Sequence, residues 1–550
     1  MARCIRVISG SHHHVRPVNA LILLCVLVAA SVGCENVVST PEPVETRAPL
    51  PSESESGPAP LDPPTFCETG DYVAPTILSA AAKVKTVLSG EALSQEEATT
   101  LNADPTQLRA LIATWASTLS AREKLLAFFQ QSFQQEGFED AQLAAQFDEV
   151  NLNGQFGRVS DDSEPVGRRF AQNVREMFPR TVLAMIDAGE PFNTTLTTRS
   201  FMLTPALMTF LAFHDEQVIT EGEDNRGRQV IEYPGTIQQI SLQNLDAYDP
   251  TDHASARAFG LFDPSSANFM RFYSNDPQLI SASAATGCTG EVVQTLDDDA
   301  KLHKAAFRMY LGTLRSGFAG DCREPGGAFS EQRPGFLAPD DFNTWRRVTI
   351  RAPQAGEETA RFYELERFRD PNVTEIVLNT PRIGFMTTLG FFSVWETNPD
   401  NQARVTANQL LITAFGHSID DSDVNFPVVD AALDGEHADP TTTCYACHRS
   451  LDPLRQYFRR DYTYFSSRQT DPEVMAVDAG FAWGGNDLRG GDVNDLAEFL
   501  STQVGFAEAW VQKLCYFANS EPCPEDSDSF ATVADAFRAS NYNFLNMLST

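Results

Sequence analysis

The sequence predicts a mainly α, multi-domain protein with a loop-rich, partly β middle. Its 550 residues exceed what one ordinary core accommodates, so several domains are expected. Apolar residues recur every three or four positions over residues 74–188, and the same helical pattern returns over residues 403–415 and 492–517. Residues 220–300 lose this periodicity and are rich in Asp, Asn, Ser and Gly, which indicates loops.

Three helix-start signals lie in the N-terminal helical region. They are the capping-box pairs Ser94/Glu97 and Ser120/Glu123 and the N-cap pair Asp104/Pro105. One apolar stripe follows the Asp104/Pro105 signal and comprises Leu108, Leu111, Ile112, Trp115 and Leu119. Such a stripe predicts core packing between helices.

Two short β-rich runs interrupt the helical pattern in the middle of the chain, at residues 346–350 and 374–378, and are predicted strands. Residues 204–213 read as an apolar helix. At the C-terminus we expect two amphipathic helices, over residues 492–504 and 506–517, with Asp492 as the N-cap of the first.

Composition and charge limit the classes of function. The chain is 42% hydrophobic and 10% aromatic, which is typical of a folded protein. Its formal net charge is −33, which would repel phosphate groups and anionic lipid surfaces. We therefore expect no nucleic-acid partner.

The first 33 residues resemble a secretory leader of the lipoprotein type. Arginines precede an apolar run at residues 20–30, which is too short to span a membrane. The run ends in Ser31-Val32-Gly33-Cys34, which resembles a bacterial lipobox and predicts lipidation of Cys34. Ordinary cleavage near residues 29–31 and an uncleaved anchor are the alternatives. Residues 34–66 are rich in Pro, Ser and Glu and predict an extended tether.

The motif Cys444-Tyr445-Ala446-Cys447-His448 carries the clearest chemistry. Its spacing lets two thiols on one helical turn bond to a haem while the adjacent imidazole reaches the iron, so we predict one covalent haem c with His448 as proximal ligand. Three other interpretations compete: half of a zinc site with His437 or His417, a redox disulfide, and a structural disulfide.

The second axial ligand is not fixed by the motif. Met475 lies downstream, in a position from which a loop could fold over the haem, and it is our first candidate for the distal ligand. Met386, His417 and His437 are alternatives. An open sixth position would permit peroxide or oxygen chemistry.

The remaining cysteines suggest disulfides in an oxidising compartment. Cys515 with Cys523 is one candidate pair and Cys288 with Cys322 is another, while Cys67 is left over.

Several segments together resemble the secreted cytochrome-like proteins of planctomycetes and myxobacteria, which are built from successive domains of unknown function. The resemblance rests mainly on residues 444–454, a Cys-x-x-Cys-His motif followed by Asp452-Pro453. It also rests on residues 84–90, 103–105, 191–193, 196–197, 381–387, 397–399 and 484–488 and on the helices that end at residues 515–517. Where that family continues with a Phe-Glu-Asn-Phe-Asp-like stretch, this chain has residues 457–462, Tyr-Phe-Arg-Arg-Asp-Tyr. The resemblance implies an exported haem protein but supplies no reaction.

These expectations divide the chain into six parts. After the leader and the tether come an N-terminal helical domain at 67–220, a loop-rich mixed region at 221–370, a cytochrome c-like haem region at 371–480 and a C-terminal helical domain at 481–550. The first functional hypothesis is electron transfer at the bacterial cell envelope, with a membrane anchor and a redox protein partner. The alternatives are a haem enzyme with an open iron site and a binding or structural lipoprotein without haem.

Overall fold

The protein is mostly helical, which confirms the mainly α prediction. The computed structural model describes residues 76–138, 166–216, 336–397, 402–419, 439–462 and 476–550. It also describes strand residues 218–223, 229–232, 238–240, 271–273 and 468–469 and the single residues 263, 265, 266, 307, 310 and 311. None of the helices in these ranges is both long enough and apolar enough to cross a membrane.

Four helices follow one another at the start of the described chain. They are α1 (Ile77–Ser89), α2 (Gln95–Ala103), α3 (Leu108–Ala116) and α4 (Leu119–Ser132), with a 3-10 turn at Pro105–Gln107 before α3. The capping box at Ser94 and the N-cap at Asp104 are both present. Both confirm the local sequence signals, because a cap depends on residues within one turn.

Two predictions about α4 are wrong. Its N-cap is Thr118, whose side chain accepts a hydrogen bond from the Ala121 N–H, so Ser120 lies inside the helix. Leu119 is 77% exposed and does not continue the stripe of α3. The reason is that α3 ends at Ala116, and the turn that follows resets the helical phase.

The carboxylate of Glu97 ties three of these helices together. It accepts hydrogen bonds from the Lys85 ammonium of α1 at 2.8 and 3.0 Å, from the Trp115 indole of α3 at 2.7 Å and from the Ser94 N–H at 2.7 Å. Burial raises the pKa of Glu97, but these donors outweigh it and lower the pKa to about 2.

In the middle of the fold, the residues that the structure describes form a mixed three-stranded sheet and five helices. The helices are α5 (Val166–Asp187), α6 (Pro205–Asp215), α7 (Asp340–Asn343), α8 (Leu365–Arg369) and α9 (Leu389–Val394). In the sheet, β6 (Arg346–Arg351) pairs antiparallel with β1 (Ser200–Leu203) and parallel with β7 (Glu375–Val377). The two strands predicted here are confirmed.

Further short strands lie in and beside the predicted loop-rich region. Strand β2 (Val218–Glu223) pairs antiparallel with β3 (Gln229–Glu232) and parallel with β8 (Arg468–Gln469), and β4 (Gln238–Ile240) pairs parallel with β5 (Arg271–Tyr273). A partly β middle is therefore observed.

Six helices and one hairpin lie in the described residues of the C-terminal part. The helices are α10 (Arg404–Phe415), α11 (Tyr445–Arg455), α12 (Val493–Ser501), α13 (Phe506–Asn519), α14 (Asp528–Ala539) and α15 (Phe544–Ser549). Asp492 caps α12 as predicted. The hairpin joins β9 (Gly480–Trp483) to β10 (Asn486–Arg489) through Gly484 and Gly485, which both have positive φ, as a two-residue turn requires.

One aromatic core runs through the described residues. The ring of Phe133, the C-cap of α4, lies 4.9 Å from Phe178 of α5, 5.4 Å from Phe385 and 4.5 Å from Trp510 of α13. Residues 74–550 group as one compact unit, and this core crosses the segments predicted as N-terminal, haem and C-terminal regions. The boundaries between those segments stay predictions.

Gly384 marks the tightest backbone approach in this core. Its φ of 57° and ψ of −170° belong to a region that is essentially restricted to glycine. A Cβ placed there would lie 2.2 Å from the Leu196 carbonyl oxygen. The segment before α9 can therefore pack on the turn at Phe192–Leu196 only without a side chain at position 384.

The Glu97 network predicts a pH-dependent contribution to stability. Because the folded pKa lies below the unfolded value of 4.5, the stabilisation is present above pH 4.5 and is lost as the pH falls toward 2. Glu97→Gln should lower the free energy of unfolding at pH 6, and the deficit should shrink at pH 3. Urea unfolding at both pH values measures this, with the exposed Glu96→Gln as control. A deficit that does not change with pH would contradict the assignment.

Gly384→Ala should destabilise the fold severely. We expect a loss of roughly 3 kcal/mol or more, from backbone strain together with overpacking against Leu196. The matched control is Gly485→Ala, also at positive φ but with no atom within 4 Å of the new Cβ, which should cost only about 1 kcal/mol. Equal losses in thermal or urea unfolding would show that the contact with Leu196 is unimportant.

Candidate haem-attachment site

The predicted haem motif occupies the first turn of α11. Cys444 is the residue before the helix, and its carbonyl oxygen accepts the hydrogen bond of the His448 N–H at 3.0 Å. The chain enters through a turn in which the Asp439 carboxylate accepts from the Thr441 N–H and the Thr442 hydroxyl accepts from the Tyr445 N–H. Side chain to backbone hydrogen bonds of this kind fix the start of a helix.

Both motif cysteines are thiols. Cys444 is half-buried and Cys447 is exposed, and they are not joined in a disulfide. Their three-residue separation in the first turn of α11 places them on neighbouring positions of one helix surface. The site therefore offers two sulfur nucleophiles together, which a disulfide would not.

The imidazole of His448 is held by a buried carboxylate. Its Nδ1 lies 3.0 Å from Oδ1 of Asp452, four residues along the same helix, and the Asp452 side chain is 0% exposed. Burial raises the pKa of Asp452, but hydrogen bonds from His448 and Arg404 outweigh it and lower the pKa to about 2. An ionised carboxylate only accepts, so Nδ1 of His448 carries the proton.

Two arginines from different parts of the chain surround Asp452. Arg404 is the first residue of α10, and its guanidinium donates from Nε to Asp452 Oδ1. Both side chains are buried. Arg455 adds a second positive charge close to Asp452 and donates from Nη1 to the Gln402 side-chain oxygen. We call Gln402, Arg404, His448, Asp452 and Arg455 the Asp452 cluster.

A left-handed turn places the α10 side of this cluster. Gln402 and Ala403 have φ values of 48° and 66°, which residues other than glycine rarely adopt. Each such residue costs on the order of 1 kcal/mol or more. The turn sets Gln402 against Arg455 and Arg404 against Asp452, two contacts with the same helix.

The C-terminal half of α11 is anchored in the core. The helix packs against α10 and β9. Leu454, Tyr457 and Phe458 are buried, and the Tyr457 hydroxyl donates to the Leu488 carbonyl at 2.9 Å. The motif end is only half-buried, so α11 presents residues 444–448 from a fixed base.

The residues after α11 connect this region to the segment at Gly384. Tyr462 is fully buried, and its hydroxyl donates to the Pro381 carbonyl. Its ring lies 5.5 Å from the buried Arg382 guanidinium, which in turn donates to the Thr387 carbonyl. Residues 457–462, where the sequence differs from the pattern of the cytochrome-like proteins, therefore supply aromatic contacts to the core.

These residues fit a c-type haem. With Nδ1 of His448 engaged by Asp452, Nε2 is the nitrogen that would bind iron, and a carboxylate on the other ring nitrogen is the usual arrangement for a metal-ligating histidine. Cys444 and Cys447 would supply the two thioether bonds. The donor set of the motif is thus complete in the described residues.

Two of the four residues that could supply a distal iron ligand, Met386 and His417, lie in the described residues. Met475 and His437 lie outside the described residues. Met386 is fully buried in the aromatic core, where it packs as an ordinary side chain. His417 follows the far end of α10, about 18 Å along the helix from Arg404, and its ring lies 5.7 Å from Trp483.

The zinc interpretation finds no support in the described part of the chain, where no group of three or more His, Cys, Asp or Glu side chains could hold a metal ion.

One of the two predicted disulfides lies in the described residues. Cys515 and Cys523 form a disulfide with a Cα–Cα distance of 5.7 Å. Four other cysteines lie outside the described residues: the candidate pair Cys288 and Cys322, the predicted lipidation residue Cys34, and Cys67.

Sequence reasoning missed the Asp452 cluster. The spacing of His448 and Asp452, four residues apart on a helix, was a usable local signal. Arg404 gives no such signal, because 48 residues separate it from Asp452 and only the packing of α10 on α11 brings them together.

Comparison of the chain with protein-family models, with curated proteins and with solved structures finds no match. The resemblance to the secreted cytochrome-like proteins therefore stays a prediction from the motif residues.

Removing the charge of Asp452 should destabilise the chain even without haem. Asp452→Asn leaves the buried Arg404 guanidinium without its counter-charge, and breaking a buried pair in this way costs about 3–5 kcal/mol. Asp487→Asn is the matched control, because its partner Arg489 and Asp487 itself are both exposed, and it should cost at most about 1 kcal/mol. Urea unfolding of the haem-free protein measures both. Similar small losses would mean that the Asp452 pair is not buried in solution.

Proposed function

We propose that the chain is an exported c-type cytochrome that is lipid-anchored at the bacterial cell envelope and transfers electrons to or from a protein partner. The observation that carries the proposal is the arrangement at the start of α11, where two thiols lie beside an imidazole whose Nδ1 is held by Asp452. Thiols and imidazole are the groups that covalent haem attachment requires.

Each residue of the site has a definite task in this proposal. Cys444 and Cys447 hold the haem to the first turn of α11, and Asp452 fixes the tautomer and the orientation of His448. The buried residues Leu454 and Phe458 keep the helix from moving when the haem is bound. The bound haem would supply a one-electron couple, and the protein sets its potential.

The cellular location in this proposal rests on the leader. The lipobox-like sequence ending in Cys34 and the tether at residues 34–66 lie outside the described residues. Export would deliver the chain to the compartment in which bacterial haem attachment occurs, so the leader and the motif support the same function. The negative net charge would suit a redox partner with a basic docking face.

A haem enzyme with an open iron site is the second candidate. The specific observation in its favour is the carboxylate on His448, because a carboxylate partner raises the basicity of the ligating imidazole. A more strongly donating proximal ligand favours the activation of oxygen or peroxide.

The test is to express the mature protein with a cytochrome-maturation system and to record its intact mass and absorption spectrum. We expect a mass increment of one haem and a sharp α-band on reduction. Both should be lost in the double variant Cys444→Ala/Cys447→Ala, because no thioether bond can form. Cys515→Ser/Cys523→Ser is the matched control and should keep the haem.

The outcomes separate the candidates. A low-spin, six-coordinate spectrum supports electron transfer, whereas a high-spin spectrum that responds to peroxide supports the enzyme. Wild-type protein that carries no haem would overturn the proposal and leave a binding or structural lipoprotein.

A further inference from the structure

We propose that Arg404 and Asp452 are positioning residues that set the reduction potential of the haem through His448, with opposite signs. The inference rests on the proposed function and deepens it, because it says which side chains tune the site. Neither residue belongs to the attachment motif, and Arg404 lies on a different helix.

The first step concerns the charge of Asp452. Ferric haem carries one more positive charge than ferrous haem, so a nearby negative charge favours the ferric form. The Asp452 carboxylate is fully buried and reaches the Nδ1 of the histidine that would bind the iron, at 3.0 Å. In a buried environment its charge is poorly screened, and it also makes the imidazole a stronger donor.

The second step concerns the compensation of that charge. Arg404 donates to the same oxygen, Oδ1, that contacts His448, so both groups draw on the electron density of one carboxylate oxygen. The guanidinium draws electron density away from the contact with the imidazole and adds a positive charge of its own. Arg404 should therefore favour the ferrous form and moderate the effect of Asp452.

The backbone before α10 fixes the position of Arg404 relative to Asp452. The left-handed turn at Gln402 and Ala403 fixes the start of α10, and the bond from Arg455 to Gln402 ties that turn to α11. Arg404 thus meets Asp452 from a fixed direction. A side chain placed in this way can tune a ligand without touching the haem.

The experiment is a spectroscopic redox titration of the haem-loaded protein, in which dithionite supplies one electron per haem through soluble mediators. Asp452→Asn should raise the midpoint potential and Arg404→Gln should lower it. Each should change the equilibrium constant for reduction at least tenfold, which is about 59 mV for one electron. Arg404→Lys keeps the charge and should lie between Arg404→Gln and the wild type.

Three further variants serve as controls. Arg404→Gln/Asp452→Asn removes both charges of the buried pair, so it should fold if Asp452→Asn does not, and its potential should lie above that of Arg404→Gln. Asp487→Asn and Arg489→Gln remove the same kinds of charge on strand β10, where both side chains are exposed and screened by solvent, and should leave the potential nearly unchanged.

Opposite signs are the decisive result. If the pair served only to hold the fold, both variants would expose the haem to water and would lower the potential together. Covalent haem with shifts of equal sign, or with no shift, would overturn this inference and leave the proposed function standing. Absence of covalent haem from the wild-type protein would overturn both.

Discussion

A buried negative charge is the constraint on which the candidate site depends. The Asp452 carboxylate is out of contact with water, so it must be matched by hydrogen bonds and by opposite charge. His448 supplies a hydrogen bond from the same helix, Arg404 supplies a hydrogen bond and a positive charge from α10, and Arg455 adds a second positive charge. The contact therefore fixes how α10 lies against α11, and with it the position of the motif. Glu97 plays a comparable part among the N-terminal helices, where one carboxylate joins α1, α2 and α3.

Much of the secondary structure could be predicted because it depends on neighbours in the chain. Capping at Ser94, Asp104 and Asp492 needs only residues within one turn, and each cap is present. The predicted N-cap of α4, Ser120, lies two positions after the observed one, Thr118. Both side chains carry a hydroxyl that can cap a helix, and the local sequence does not determine at which of them the helix begins. The continuity of the core was not predictable, because it depends on aromatic contacts between segments hundreds of residues apart.

The candidate site divides in the same way. The residues that would carry the haem could be predicted because covalent attachment requires two cysteines and a histidine at this spacing. The structure adds that the two cysteines are not in a disulfide and that Nδ1 of His448 contacts Asp452. Asp452 was visible in the sequence but had no assigned role. Arg404 could not have been chosen among the arginines of this chain, because its importance comes from a helix start that local sequence does not specify. Under the proposed function, the motif would determine what the site binds, and tertiary packing would determine its reduction potential.

The left-handed turn before α10 restricts which sequences can encode this site. Position 403 needs a positive φ, and its side chain is the small methyl of alanine, so glycine or asparagine would adopt the same backbone with less strain. Position 402 needs the same kind of backbone but also an amide long enough to reach Arg455, so glycine there would relax the turn and lose the contact. Related chains with this site should accordingly vary at 403 toward glycine and hold a long polar side chain at 402. That asymmetry between two adjacent residues would distinguish inheritance of the whole cluster from inheritance of the cysteine motif alone.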